Sequence, residues 1–181
     1  MNTRYGFSPS NSYMTWYNYG RIDPRTCLIN KHEDLMLLPV EHVLLSDLIK
    51  YDTGVHHVPR PEYLYHWITS ENSITYVAFR DGTICGYGVL RSQDCYNQIG
   101  PLYADDNRVA LALFRHLNSH LSEDQTVGFS CPVTNGFATH FATKNRMMKP
   151  GFPLVFMSKP TAFEPDLRRV YAMSSVSFGL C

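Results

Sequence analysis

The middle of the chain alternates between residue periods typical of strands and of helices. Residues 73–79 are β-branched and aromatic, Asp81-Gly82 is a two-residue turn signal, and residues 83–90 return as a partner strand. Residues 97–103 give a third strand, and apolar residues then recur at helical spacing over residues 110–121. This pattern predicts a β-hairpin, a further strand and an amphipathic helix in succession.

The flanking segments extend this alternation in both directions. Three of them have apolar residues at helical spacing: 40–51, 62–69 and 135–144. Two others have the composition of short buried strands: 126–131 and 154–158. From Cys27 onward the predicted order is therefore strand, helix, helix, hairpin, strand, helix, strand, helix, strand. This order predicts the α/β fold class, with one mixed sheet and helices on its faces.

Residues 1–25 differ from this pattern because they are rich in tyrosine and interrupted by glycine and proline. They look like a strand pair that lacks its own domain. The stretch 4–9 also echoes the stretch 149–153, since each places a Gly-Phe pair before an aromatic strand. We therefore expect a strand-rich N-terminal segment, residues 1–25, and one domain over residues 26–181. The echo leaves open that the first segment is the tail of a preceding repeat.

Composition and charge exclude several classes of function. The chain has 181 residues, of which 44% are hydrophobic and 18% charged, and its formal net charge is zero. This balance gives no electrostatic footprint for nucleic acid or an anionic membrane. We expect no signal peptide and no membrane span, because the N-terminus is polar and aromatic and the apolar runs are short. The five cysteines share no Cys-x-x-Cys spacing, so we expect reduced thiols in a cytoplasmic protein.

The most informative segment is 98–117, which reads as a strand that leads directly into the start of a helix. Asp106 is the natural N-cap of this helix. A strand-to-helix junction leaves several backbone N–H groups unpaired and aligns the positive end of the helix dipole with them. This junction is therefore the predicted place for an anionic cofactor.

Residues around the junction match the pattern of a known superfamily. They are Tyr51-Asp52, Arg60, Trp67, Gly86-Tyr-Gly88, Ile99-Gly-Pro-Leu-Tyr-Ala-Asp105 and Asn135-x-x-Ala138. Together with the order of elements they resemble the GCN5-related N-acetyltransferase (GNAT) superfamily. More narrowly, they resemble the YitH-type acetyltransferase domain, which usually forms the second half of a tandem protein. The resemblance covers roughly residues 27–163, and the block 99–105 is its most specific part.

The resemblance implies a mostly antiparallel twisted sheet and direct acyl transfer from acetyl-CoA to a small-molecule or protein amine. It places the cofactor on seven residues: Leu102, Tyr103, Ala104, Asn107, Arg108, Val109 and Asn135. It places the acceptor near three others: Asp52, His56 and Arg60. In the tandem relatives residues 4–7 would belong to the tail of the first half. An adjoining GNAT repeat or a second copy of the chain is therefore an implied partner.

The chain departs from the superfamily pattern at two places. The glycine-rich phosphate loop is missing, and Asp105 and Asp106 stand where the phosphates would bind, so the helix cap competes with an anion. On the later helix, aligning Asn135 with the superfamily motif puts Ala142 where a tyrosine usually acts as the general acid. The catalytic residue is thus unassigned, with His140 and Tyr103 as the substitutes that the sequence offers.

Other candidate constellations have a plainer structural interpretation. His116 and His120 are spaced for a metal, but the glutamate of a His-Glu-x-x-His site is absent, so we predict no metal site. Cys131 ends a buried-type strand outside any Gly-x-Ser-x-Gly elbow, which favours an inert thiol. His56 and its neighbour His57 are expected in a loop after the helix 40–51.

Two functions from different classes follow. The first is an acetyl-CoA-dependent N-acetyltransferase acting on an unidentified amine. The second is a non-catalytic GNAT-like module that binds a partner domain or ligand, which the missing glycine loop and Ala142 favour. A purely structural half that completes a tandem neighbour is a third alternative, because fold alone does not establish function.

Overall fold

The computed structural model of the chain describes residues 8–27, 34–93, 96–149, 153–158 and 165–174. The strands within these residues are β1 (Ser8–Gly20), β2 (Leu35–Pro39), β3 (Ser73–Arg80), β4 (Thr83–Gln93), β5 (Tyr96–Ala104), β6 (Val127–Pro132), β7 (Leu154–Ser158) and β8 (Val170–Ala172). The α-helices are α1 (Leu45–His56), α2 (Pro61–Thr69), α3 (Asn107–Asn118) and α4 (Gly136–Lys144). In the described part of the chain, no helix is long and apolar enough to span a bilayer.

The strands form one sheet in the order β2-β3-β4-β5-β6-β1-β7, and β8 pairs with β5 outside this path. Every pair is antiparallel except β5 and β6, which run parallel. The predicted α/β class, with a mixed and mostly antiparallel sheet flanked by helices, is therefore confirmed. The predicted hairpin is also confirmed, since Asp81 (φ 52°) and Gly82 (φ 75°) both adopt the left-handed backbone that a tight two-residue turn requires.

The two faces of β4 show how the sequence divides the core. Gly86 and Gly88 lie against α3, while Tyr87 and Val89 alternate to the opposite face and join the cluster that includes residues of α1 and α2. On the α3 face, Phe114 packs against aromatic rings of β6 and α4, at 5.1 Å and 4.8 Å between centroids. The sheet thus separates two cores, and the strand-to-helix junction lies at their boundary.

In the described part of the N-terminal segment, residues 8–20 form a single strand where a strand pair was expected. Within the described residues 8–20 the chain continues as β1, with one register shift between Pro9 and Met14. β1 pairs with β6 on one side and with β7 on the other, so it is an interior strand, next to the edge strand β7. The echo of 4–9 in 149–153 extends outside the described residues, and the division at residue 25 stays a prediction.

The prediction for His56 was wrong. The expected helix 40–51 begins later, at Leu45, after a 3-10 turn over Val40–His42, and it continues to His56. Glycine at position 54 weakens a helix, but Val55 and His56 are both buried, and their packing outweighs the local preference. His57 then ends the helix in the left-handed conformation, with φ 59°. His56 is therefore a core residue of α1.

Gly86 and Gly136 provide a matched test of this packing. A Cβ at Gly86 would lie 2.7 Å from Val109 Cγ1 and 2.9 Å from the backbone oxygen of Tyr103, whereas nothing lies within 4 Å of a Cβ at Gly136. We expect Gly86→Ala to lower the free energy of unfolding by about 1–3 kcal/mol. Gly136→Ala should raise it by about 0.4–1 kcal/mol, since it restricts the unfolded chain without a clash. Urea unfolding measures both, and equal effects would contradict this account of the α3 contact.

Candidate functional site

The site is built where β5 and β6 part. These parallel strands pair at only two positions, Asn97 with Val127 and Gln98 with Gly128. Further along, β5 pairs with β8, and Ser130 of β6 forms an isolated bridge with Met173. The two strands therefore open into a cleft, and residues 165–174, called the cleft segment below, enter it.

The cleft segment uses the backbone of both strands. Leu102 and Tyr103 of β5 are in register with Ala172 and Val170, respectively. On the β6 side, the N–H of Met173 donates to the Ser130 carbonyl at 2.7 Å. The predicted pantetheine-binding backbone at Leu102 and Tyr103 is thus paired with the chain itself, while Ala104 is in register with a residue of β4.

The N-terminus of α3 is capped as predicted. Asp106 Oδ1 accepts hydrogen bonds from the N–H groups of Arg108 and Val109, at 2.8 Å and 3.0 Å. Asp106 also forms an ion pair with Arg80 at 2.9 Å. Partial burial by itself would raise the pKa of Asp106, but the N–H of Val109 and the Arg80 guanidinium hold the pKa below its ordinary value. Two of the three predicted phosphate-binding N–H groups already have an anionic partner.

The remaining predicted cofactor residues contact the cleft segment. Asn107 Oδ1 accepts a hydrogen bond from the Tyr171 hydroxyl at 2.8 Å. Asn135 caps α4 through its Oδ1, which accepts from the N–H of Ala138 at 3.0 Å. Its Nδ2 donates to the carbonyl of Val170 at 2.8 Å. The structure therefore brings the α3 start, the α4 start and the β5 edge together around one extended segment.

Asp105 is linked to the cleft segment by charge. Its Oδ1 lies 2.6 Å from Nη2 of Arg169 and also accepts the Tyr51 hydroxyl at 3.1 Å. The Arg169 guanidinium lies 4.8 Å from the centre of the Tyr51 ring, and its Nη1 donates to the Gly54 carbonyl at 3.2 Å. The negative charge that would repel a phosphate thus has a cation from the same chain.

The predicted acceptor residues form a buried network on the α1 and α2 side. Asp52 is 1% exposed and binds Arg60 through two hydrogen bonds of 2.8 Å. The Tyr87 hydroxyl donates to Asp52 at 2.6 Å, and Arg60 Nη2 donates to the Tyr103 hydroxyl at 3.3 Å. His56 Nε2 lies 4.0 Å from Asp52 Oδ1 and has no hydrogen-bond partner among the described residues. This network joins both helices to the strand that borders the cleft.

Burial sets the protonation of this network. It lowers the pKa of His56 to about 3, with the Arg60 charge acting in the same direction and Asp52 opposing both. Burial also raises the pKa of Tyr103 and of Tyr87 well above the ordinary value of a phenol. Near neutral pH the network therefore holds a neutral imidazole and two protonated phenols around one ion pair.

The two substitutes for the missing acid occupy different environments. Tyr103 is 1% exposed within the buried network, while His140 lies on the exposed side of α4. Ala142, at the aligned tyrosine position, is fully buried. Sequence reasoning missed Tyr87, Arg169 and Tyr171 as members of the site. The only signal for Tyr171 was the short apolar run 170–173, which is too brief to predict a strand.

The histidine pair on α3 and the thiol of Cys131 both have packing contacts that suit a structural role. The ring of His116 packs on Tyr76 at 4.0 Å between centroids, and His120 lies 5.6 Å from the same ring. Within the described ranges no three potential ligands lie close enough to hold a metal ion. Cys131 is buried, which raises the pKa of its thiol, and it accepts a hydrogen bond from Asn18.

Solved structures share this fold. A protein of known crystal structure from Pyrococcus horikoshii superposes with a TM-score of 0.67 at 16% identity, over 97% of this chain and 54% of that one. A tandem GNAT protein from the clavulanic acid biosynthesis pathway, solved without AcCoA, gives a TM-score of 0.58 at 14% identity, over 84% of this chain and 55% of its own. The fold is thus that of GNAT proteins.

The sequence identifies the family. The acetyltransferase (GNAT) domain family matches residues 48–172, well over half of the chain, and the chain belongs to this family. The holothin acyltransferase of Pseudoalteromonas sp. (strain SANK 73390) is 26% identical over 141 residues, which cover 75% of this chain and 46% of that protein. The chain spans about half the length of these relatives.

The buried His56 makes stability depend on pH. Its native pKa of about 3 lies below the unfolded value of about 6.5, so the unfolded state binds more protons between these values and stability falls as the pH falls. We expect the free energy of unfolding to decrease by about 2 kcal/mol between pH 7 and pH 5 from this group. His56→Gln should flatten that decline in urea unfolding. His42→Gln, at an exposed position, keeps the buried imidazole and should retain it; identical profiles for both variants would refute the assignment.

Proposed function

We propose that the chain transfers an acetyl group from acetyl-CoA to an amine by direct attack, with the pantetheine arm between β5 and β6. The observation that carries this proposal is the shape and chemistry of the cleft. It accepts an extended chain of amide groups, since the backbone of β8 pairs with β5 and Asn135 donates to the Val170 carbonyl. A pantetheine arm is also an extended chain bearing amides, so the same donors and acceptors fit it.

The proposed cofactor contacts follow the sequence interpretation. The backbones of Leu102, Tyr103 and Ala104 would hold the arm, with Asn135 as a side-chain donor. The phosphates would lie at the start of α3, near Asn107, Arg108 and Val109. This end fits less well, because Asp106 already accepts from two of the N–H groups. The half-exposed Arg108 side chain, 3.4 Å from Asp34, is the cation available to offset the carboxylates.

In the proposed reaction the chain's residues orient the reacting carbonyl, exclude water and donate a proton. When bound, acetyl-CoA supplies a thioester that an amine can attack. The cleft backbone orients the carbonyl of that thioester, and the buried surroundings of Tyr103 exclude water. As the N–C bond forms and the C–S bond breaks, Tyr103 is the proposed proton donor to the departing thiolate, since its phenol stays protonated and lies beside Arg60. The proton that the amine loses restores the phenol, so the proton count balances. His140 on α4 is the alternative donor.

The acceptor is proposed to approach from the α1 and α2 side. Asp52, His56 and Arg60 surround the Tyr103 hydroxyl there. Among the described residues, His56 Nε2 and Arg60 Nη1 have no hydrogen-bond partner, so both have capacity for a new hydrogen bond. The amine belongs to a small molecule or a protein. The proposed setting is the cytoplasm, which suits the free and buried thiols of Cys27, Cys85 and Cys131.

We also propose that the chain corresponds to the YitH-type second half of a tandem protein. Residues 1–25 would then come from the tail of a first half, and the partner would be that half or a second copy. The position of β1 supports this, since the first strand along the chain lies between β6 and β7 in the sheet. The length of the natural reading frame tests it, and a frame beginning at Met1 would contradict it.

Two observations favour the second candidate function, a non-catalytic module. The cleft is occupied by the chain itself, and the position aligned with the superfamily tyrosine holds the buried Ala142. Such a module would present its surface to a partner domain or ligand and would acetylate nothing. Cofactor binding distinguishes the two candidates, since only the transferase requires it.

Arg108 provides the test of cofactor placement. Acetyl-CoA at a hundred times its dissociation constant should stabilise the chain by about 2.7 kcal/mol in thermal unfolding. Arg108→Glu should weaken binding about tenfold or more, because it replaces the cation beside the phosphates with an anion. Arg115→Glu makes the same charge change at an exposed position near the other end of α3 and should leave binding nearly unchanged. Equal effects of the two variants would show that the phosphates lie elsewhere, and no stabilisation at millimolar cofactor would favour the non-catalytic module.

A further inference from the structure

We propose that the cleft segment, residues 165–174, is an autoinhibitory strap that occupies the cofactor position and must leave before acetyl-CoA can bind. This inference rests on the proposed function, which places the pantetheine arm between β5 and β6. It adds a closed state, in which the chain's own backbone serves as the ligand of its cleft. The contacts of the segment with β5, α3 and α4 carry the argument.

The first step is direct competition for the same groups. Val170 and Ala172 pair with Tyr103 and Leu102, the residues proposed to hold the pantetheine arm. Asn135 Nδ2 is buried and donates to the Val170 carbonyl at 2.8 Å. An arm paired with these β5 residues would need the space along the strand that the strap backbone fills. Strap and arm therefore exclude one another.

The second step concerns the phosphate end. The Tyr171 hydroxyl donates to Asn107 Oδ1 at 2.8 Å, at the first residue of α3. The Tyr171 ring packs edge-on against Phe137 of α4, with 5.9 Å between centroids, and the residue is only 3% exposed. The strap thus extends from the pantetheine position to the helix start, which is the path proposed for the cofactor.

The third step is the latch that holds the strap. Arg169 binds Asp105 at 2.6 Å, and the side chains are 23% and 41% exposed, respectively. The ion pair is therefore within reach of solvent, whereas residues 170–174 behind it are buried. Salt and competing ions screen an ion pair at such a position, so the latch is the contact that opens first.

The fourth step is that β5 is shaped for the strap. Gly100 has φ 153°, in the region that favours glycine, and a Cβ added there would collide with the carbonyl oxygen of Met173. Gln98 Nε2 donates to the Ser174 carbonyl at 3.1 Å, and the Ser174 hydroxyl contacts the hydroxyl of Tyr63. Gly100 and Gln98 of β5 and Tyr63 of α2 thus form specific contacts with the end of the strap.

The strap gives the apparent affinity a simple form. If the cleft is open for a fraction f of the time, the apparent dissociation constant of the cofactor is the intrinsic one divided by f. A change that weakens only the strap raises f, and it must lower the apparent dissociation constant of the cofactor by the same factor. Charge alone predicts the opposite for Arg169, because removal of a cation near the phosphates weakens binding of an anion.

The experiment measures CoA binding by calorimetry to the whole chain and to two neighbouring variants. Arg169→Ala removes the latch, and the apparent dissociation constant should fall about threefold or more. Arg168→Ala is the matched control, because it removes the same charge from a side chain that is 89% exposed and pairs with Asp166. Its binding should be unchanged or slightly weaker.

A second pair of variants acts from the β5 side. Gly100→Ala should displace the strap through its clash with Met173 and so tighten CoA binding. Gly82→Ala, also at a positive φ but with nothing within 4 Å of its Cβ, controls for backbone strain. Amide hydrogen exchange adds a readout that ordinary binding changes in the opposite direction. CoA should accelerate exchange at Ala172 and Met173, whereas a ligand normally slows exchange around its site.

Each outcome decides the inference. Tighter binding by Arg169→Ala or Gly100→Ala than by its control, with faster exchange at residues 172–173, supports the strap. Equal binding by the wild type and all four variants, with unchanged exchange at these residues, overturns the strap and leaves the proposed function standing. If circular dichroism shows every variant folded and none binds CoA at millimolar concentration, the proposed function fails, and the strap fails with it.

Discussion

The structure depends on the separation of β5 from β6. Two parallel strands that part after two paired positions leave backbone donors and acceptors inside the sheet, and buried groups of this kind require partners. The chain supplies them itself through β8 on one side and the bridge from Met173 to Ser130 on the other. The backbone groups that line the cleft therefore need hydrogen-bond partners. An extended segment rich in amides can supply them.

Tyr103 connects the two sides of this arrangement. Its backbone is in register with Val170 in the cleft, while its hydroxyl accepts from Arg60 in the buried network. Arg60 is neutralised by Asp52, and Asp52 Oδ1 also accepts a hydrogen bond from the hydroxyl of Tyr87 on β4. Removal of one partner from such a buried pair leaves an uncompensated charge, so these residues behave as one unit. The buried network and the cleft are thus mechanically joined through Tyr103 of β5.

Much of this fold could be predicted from the sequence because its signals are local. The Asp81-Gly82 turn and the Asp106 cap each depend on a few neighbouring residues, and both are present. The positions of β1 and β8 could not be predicted, since each is fixed by pairing with strands far away in sequence. His56 was misplaced for a related reason. Its helix extends through Gly54 because tertiary burial outweighs local propensity.

The departures from the superfamily pattern have a common physical basis. Without a glycine-rich loop, the start of α3 satisfies its N–H groups with Asp106, as any helix start that lacks an anion must do. The neighbouring Asp105 is partly exposed to solvent and pairs with Arg169 of the cleft segment. A carboxylate that disfavours phosphate is thus the same group that favours the segment. The missing loop and the occupied cleft thus meet at Asp105, and an anionic ligand proposed to bind here would compete with an ion pair as well as with a strand.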